Sequence, residues 1–220
     1  MTYLVTGGEN GLGAGIIQAI NAYDLEAVNL PGCVIQAGKD SITSAIMSMP
    51  RITHVVNNYG INHLSWIGDT PEEDEDIVDV NLLGPYWVVN ALKRKGDVCR
   101  VINVASATYR VPQRTTSLYC ASKAGLVQMT RVMARELAPY GWVINAIAPG
   151  PIEGTNMTKL VNQQVQELRG WTAEEAAHYE RELIPMNRRT TVEEVAKAIV
   201  AIFYLPDYIN GACIDMMGGT

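Results

Sequence analysis

Short apolar runs bounded by Gly, Asn or Pro recur along the chain, separated by segments of helical periodicity. The runs at 3–6, 25–29, 54–57, 98–104, 143–147 and 212–215 read as strands, and the segments 12–22, 41–49, 72–95, 117–139 and 192–204 read as helices. Strands that are apolar nearly throughout, and that take turns with helices, predict a parallel sheet buried on both faces. An acidic run, 72–76, stands at the head of the third helix. Negative side chains there complement the positive end of the helix dipole, so the run reads as structural rather than as a metal site.

Two stretches depart from the alternation. Forty-four positions separate Gly13 from Asn57, whereas two helices, two strands and their loops want roughly 50 or more. Inside that stretch only Leu30, Pro31 and Gly32 lie between the runs 25–29 and 33–36, and successive parallel strands need a crossover of about a dozen residues. The helix that would join them is expected to be missing, leaving 33–36 as a short or irregular edge piece. The second departure, 151–191, is polar and broken by Gly154, Gly170 and Pro185. It predicts a helical excursion of the kind that covers a ligand.

Composition narrows the partners. With 220 residues, 48% of them hydrophobic and 18% charged, the chain is of globular composition and of a size for one domain. A net charge of −6 works against nucleic acid, whose backbone needs Lys and Arg massed on one face. No apolar run reaches membrane-spanning length, and nothing after Met1 has the pattern of a secretory leader, so a cytoplasmic protein is expected. Cys33, Cys99, Cys120 and Cys213 show neither CxxC spacing nor a His-rich neighbourhood. They read as reduced thiols, with no metal site.

The candidate chemistry begins where the first strand runs into Thr6-Gly7-Gly8-Glu9-Asn10-Gly11-Leu12-Gly13 and then a helix. Glycines at such a junction let a backbone turn tightly and approach a pyrophosphate, whose charge the helix N-terminus meets. An ordinary strand-to-helix turn is the alternative. Tyr119 and Lys123 stand four apart, hence on one helix face a turn from each other. Ser106 follows the apolar run 101–105, and the C-terminal ends of strands are where open α/β sheets bind ligands.

In this order the motifs resemble the short-chain dehydrogenase/reductase family over nearly the whole chain. They are TGGENGLG at 6–13, NNYG at 57–60, Asn81 within DVNLLG, Ser106 within NVAS, YCASK at 119–123, NAIAPGPI at 145–152 and the closing IDMMGG. The resemblance implies an α/β fold with a three-layer, doubly wound Rossmann-type parallel sheet: six strands, the edge piece, and the excursion near 155–190. It implies a single dinucleotide-binding catalytic domain over 1–220. The activity implied is that of an NAD(P)-dependent oxidoreductase, a short-chain alcohol dehydrogenase/carbonyl reductase.

Four catalytic roles come with the resemblance: Tyr119 as general acid/base, Lys123 lowering its pKa and holding the nicotinamide ribose, Ser106 polarising the substrate oxygen, and Asn81 anchoring a water in a proton relay. A free phenol titrates near about 10. A cation at about 4 Å in an effective dielectric near 20 favours its ionisation by about 4 kcal/mol, roughly three powers of ten in acidity. Lys123 and the oxidised nicotinamide are the expected sources of that field. Cofactor contacts are implied at Gly7, Asn10, Gly11, Leu12, Gly13, Asn29, Asn58, Gly60, Tyr119, Lys123, Pro149, Gly150, Ile152 and Thr155.

The chain departs from the family pattern in places. Tyr59 stands where the family usually has Ala; its ring either narrows the cleft or packs into the core, and core packing is preferred. Asn29 occupies the end of the second strand, where a carboxylate would bond the ribose 2′-hydroxyl and an Arg would take a 2′-phosphate. With no cation there and neither Glu9 nor Asn10 basic, NAD is expected rather than NADP, which is not excluded. Ile61, Asn62, His63, Tyr109, Arg110, Pro151 and the excursion after Thr155 are expected near the substrate, with Arg110 and Arg114 read as exposed in preference to anchoring an anion. A regulator that keeps the fold without turnover is the competing function, and an epimerase or dehydratase is disfavoured by length. A homotetramer or homodimer through the helices 72–95 and 117–139 completes the expectation, with a small alcohol or carbonyl compound as substrate.

Overall fold

The computed structural model describes residues 1–69, 74 and 76–220. Among these residues the strands β1 (Thr2–Thr6), β2 (Glu26–Leu30), β3 (His54–Asn57), β4 (Arg100–Val104), β5 (Val143–Pro149) and β6 (Cys213–Met216) form one sheet in the order β2-β1-β3-β4-β5-β6, with every pair parallel. The chain works outward in one direction from β1 to β2 and in the other from β3 onward, so a crevice opens at the C-terminal ends of β1 and β3.

Side chains alternate between the two faces, and both faces are buried. Leu4, Val55, Val101 and Ile144 enter one core with Ile42, Ile46, Val88, Leu92 and Met133. Tyr3, Val5, Val56, Ile102 and Ile147 enter the other with Leu12, Ile16, Ile20, Val195 and Ile199. The first set of partners lies on α3 (Lys39–Ser48), α5 (Gly84–Lys95) and α6 (Ser117–Leu137), the second on α1 (Gly11–Asn21) and α9 (Val192–Phe203). α5 starts with Pro85 in its first turn and stops at left-handed Gly96, with Lys93, Arg94 and Lys95 at the negative end of its dipole. α9 opens with a reciprocal cap between Thr191 and Glu194. No helix among the described residues is long and apolar enough to cross a membrane.

The shortened region holds no helix between 25–29 and 33–36, as expected, but 33–36 is not an edge piece. It belongs to α2 (Gly32–Gln36), a single helical turn, and β2 is itself the sheet edge. Pro31 supplies the preset φ before the turn, and the turn buries Ile35 in the first core, a burial that an edge strand would not provide.

The helix expected over 72–95 also differs. Glu72, Glu73 and Glu75 lie outside the described residues. Asp76 opens α4 (Asp76–Val78), a π turn follows at Asp79–Leu83, and α5 continues. Asp74 does not serve the helix dipole. It is buried, accepts a hydrogen bond from the Ser65 hydroxyl and lies 3.1 Å from His63 Nδ1. The excursion contains α7 (Asn156–Arg169) and α8 (Ala173–Glu182), and a bridge between Ile152 and Thr190 closes its base.

His54 on β3 stacks on Tyr3 with ring centroids 4.2 Å apart and meets Phe203 edge-on. Burial pushes its imidazole down to about 4, helped by the charge of Arg100. Between about 4 and its ordinary value of 6.5 the unfolded chain holds a proton that the folded chain does not, so this contribution to stability falls as the pH falls through that window. The melting temperature is expected to drop over that range, and His54→Phe is expected to reduce the drop; an equal drop in both chains would contradict the assignment.

Candidate active site

β1 delivers Thr6 to the crevice, where its hydroxyl accepts from the backbone N–H groups of Asn58 (2.9 Å) and Tyr59 (3.0 Å). The Asn58 amide returns a bond to the Thr6 carbonyl at 3.0 Å, so the turn after β1 and the segment after β3 move as one unit. Gly7 has φ +67, and a Cβ on Gly13 would lie 2.0 Å from the Gly7 carbonyl oxygen. Only glycine permits this closeness of α1 to the turn. Asn10 makes no side-chain cap and the first turn of α1 holds no carboxylate, which leaves the positive end of the helix free for an anion.

From this turn a cleft of about 470 Å³ runs past the ends of β3, β4 and β5 and beneath α7. Ser106 caps the short 3₁₀ turn Ala107–Tyr109, its Oγ accepting from the Thr108 N–H at 3.3 Å, and Tyr119 stands on the first turn of α6. Lys123 is buried one helical turn on, and its Nζ donates to the Val104 carbonyl at 2.9 Å. All three line the cleft.

Asn81 does not line it. Fully buried in the π turn, it accepts from Ile61 N–H (2.8 Å) and donates to Ile61 C=O (2.8 Å) and to Ser122 Oγ (3.2 Å). Ser122 in turn donates to the Tyr119 carbonyl at 2.8 Å.

Burial pushes Lys123 down to about 8, and burial also raises the Tyr119 phenol above its ordinary value, against the lowering effect of the nearby Ser106 hydroxyl. Nζ stands 5.7 Å from the Tyr119 ring centroid and is turned to Val104. Among the chain's own groups, desolvation is the dominant influence on both side chains.

A family model described as short chain dehydrogenase matches residues 35–166. A D-β-hydroxybutyrate dehydrogenase of Cupriavidus necator is 32% identical over 259 residues, covering 99% of this chain and 96% of that one. The chain belongs to the short-chain dehydrogenase family. It is accordingly an NAD(P)-dependent oxidoreductase. Among solved structures, an actinorhodin polyketide ketoreductase variant with NADPH superposes with a TM-score of 0.89 at 23% identity, covering 99% of this chain and 95% of that one. A 3-ketoacyl-(acyl-carrier-protein) reductase from Brucella melitensis complexed with NADH has a TM-score of 0.80 at 25% identity, covering 99% and 97%.

In this short-chain dehydrogenase the residues expected to meet the cofactor fall into two groups. Gly7, Asn10, Gly11, Leu12 and Gly13 line the cleft at its turn end; Asn58, Gly60, Pro149, Gly150, Ile152 and Thr155 line its walls with Tyr119 and Lys123. The open helix end and these walls fit the stretch of a dinucleotide from pyrophosphate to nicotinamide. Asn29 is not among the described lining residues. Its Oδ1 accepts from the Gly8 N–H at 2.6 Å, so the oxygen expected to face a ribose closes the turn instead.

On the substrate side, Ile61, Asn62 and Pro151 line the cleft as expected, whereas Tyr109, Arg110 and His63 are not among the described lining residues. Tyr109 and Arg110 both bond Asp215, at 3.0 and 2.6 Å, His63 pairs with Asp74, and Arg114 lies over the Trp66 ring. The excursion after Thr155 meets the cleft as expected, through the α7 face of Met157, Leu160 and Val161; sequence reasoning missed Thr108 and Gln113 on the lining and Ser122 behind Tyr119.

Asn81→Ala removes both hydrogen-bond partners of the Ile61 backbone and is expected to destabilise the fold by about 1–3 kcal/mol. Asn81→Asp keeps the acceptor and loses the donor, so thermal denaturation should place it below wild type as well. A melting temperature unchanged in both variants would refute the clamp.

Proposed function

We propose that this short-chain dehydrogenase interconverts a neutral alcohol and its carbonyl compound with NAD as the preferred dinucleotide, using Ser106, Tyr119 and Lys123 as catalytic residues and Asn81 to position them. The observation that carries the reading is the gathering of Ser106 and Tyr119 on one cleft wall, with Lys123 buried beside them. When bound, the nicotinamide supplies or accepts the hydride. Tyr119, held in its protonated form by burial, gives its proton to the carbonyl oxygen during reduction and takes it back during oxidation. Ser106 donates to the same oxygen and steadies the charge that develops there. Lys123, held by Val104, is placed to meet the ribose hydroxyls.

Several features support the choice of substrate and cofactor. Among the described lining residues Lys123 is the one with a charged side chain, and Arg110 and Arg114 are engaged elsewhere, which favours a neutral substrate over a carboxylate or phosphate. Thr108 Oγ1 and Asn62 Oδ1 are buried without a partner in residues that line the cleft, and they suit a hydroxyl-bearing compound. Glu9, whose carboxylate accepts from Gly32 N–H at 2.7 Å beside the end of β2, would repel a 2′-phosphate.

The two cores on either side of one sheet support a single catalytic domain over the 220 residues. The family resemblance, together with exposed Leu83, Tyr86, Leu118 and Val132 on or beside α5 and α6, supports pairing with a second copy. The free cysteines suit a cytoplasmic setting, where thiols stay reduced.

Tyr119→Phe is expected to lower turnover by about 10²–10⁴-fold and to leave NADH binding within about twofold of wild type. In the wild type, carbonyl reduction should fall and alcohol oxidation rise as alkaline pH removes the phenolic proton. Steady-state rates across pH and a fluorescence titration with NADH measure both; wild-type turnover in the variant would overturn the role of Tyr119.

A further inference from the structure

The cleft covers only part of the path a dinucleotide would take. With pyrophosphate at the N-terminus of α1 and nicotinamide toward Tyr119, the adenosine must extend the other way, over the ends of β1 and β2. The Tyr59 ring lies across that path. A Cβ on Gly32 would sit 2.2 Å from Tyr59 Cε2, and one on Gly7 would sit 2.7 Å from its Cδ2, so the ring bridges from the end of β3 over β1 to the segment after β2. It is half-buried against the first core and also lines the cleft edge. The polar groups that would receive a ribose are engaged as well: Asn29 Oδ1 by Gly8 N–H at 2.6 Å, and Gly32 N–H by Glu9 Oε1 at 2.7 Å.

We propose that Tyr59 plugs the adenosine half of the site, so that the chain holds its cofactor through the pyrophosphate and nicotinamide half, and full seating of the dinucleotide requires the ring to swing out. The inference rests on the reading of the cleft as the dinucleotide site. A binding-competent state that is a minor population weakens apparent affinity by the fraction populated. The adenosine moiety then adds little: its contacts are offset by displacing the ring and breaking the two hydrogen bonds beneath it.

Fluorescence titration of the full chain with NADH and with reduced nicotinamide riboside 5′-diphosphate, a mononucleotide that keeps the pyrophosphate and lacks only the adenosine, separates the outcomes. In wild type the two are expected to bind within about threefold of each other, and Tyr59→Ala is expected to tighten NADH by about tenfold or more while leaving the mononucleotide unchanged. Weaker or unchanged NADH binding in Tyr59→Ala would overturn the plug, making the ring an adenine platform or a bystander. Wild-type NADH binding ten times tighter than the mononucleotide or more would overturn it without any variant. Failure of both ligands to bind either chain would instead defeat the assignment of the cleft and the plug with it.

Discussion

Asn81 joins three segments through one buried amide: the segment after β3 at Ile61, the π turn in which it sits, and α6 at Ser122. Each bond contributes only about 1 kcal/mol net, but the groups are buried, so an unmade bond costs more than a made one returns. The clamp is therefore effectively all or none. Its geometry depends on the π turn, since the wider turn changes which side chains face inward between α4 and α5. Ser122 carries the constraint on to the carbonyl of Tyr119, so the height of the phenol above the sheet is set from behind rather than from within the cleft.

A second buried chain fixes the other coordinate. Asn57 donates to Asn103 at 2.8 Å, Asn103 to Thr130 at 2.8 Å, and Thr130 to the Leu126 carbonyl at 2.8 Å, which joins β3, β4 and α6. In strands otherwise apolar, a one-residue slip would leave these amides unpaired, so the chain of bonds specifies register where packing of Val against Ile discriminates poorly. Ser106, two residues beyond β4, and Tyr119, in the first turn of α6, inherit that register. Both reach the same cleft because the strand and the helix that carry them are tied at both levels.

These dependencies explain what the sequence made legible. The apolar runs had to be strands of a two-faced sheet because no other arrangement buries every side chain of a run such as 143–147; their ends moved by a residue or two because neighbouring strands, not propensity, decide where pairing stops. That Ser106, Tyr119 and Lys123 share one cleft was legible through the motifs. Their electrostatics was not. Spacing of four puts Tyr119 and Lys123 on one face, but it says nothing of the Val104 carbonyl that draws Nζ aside, or of the burial that raises one pKa and lowers the other. Arg110 illustrates the same limit, since its partner Asp215 lies more than a hundred residues away at the far edge of the sheet. The run 33–36 was misjudged because apolar composition is shared by a buried strand and a single helical turn, and only the position of the core beneath Ile35 distinguishes them.

The shortened region and Tyr59 are best understood together. With β2 at the sheet edge and only one helical turn before α3, the space above Gly7 and Gly32 has little else to fill it, and the ring packs there against both glycines. A small side chain at 59 would leave a gap, and emptying a fully enclosed aromatic site costs about 3–5 kcal/mol. Tyr59 is only half-buried and borders the cleft, so water can enter the vacated volume and the cost falls well below that range. The ring is thus held firmly enough to be ordered and loosely enough to move, a balance that a fully enclosed phenol would not have. Burial raises its hydroxyl above the ordinary range, with the Glu9 carboxylate adding to the effect, and this keeps the plug neutral across physiological pH.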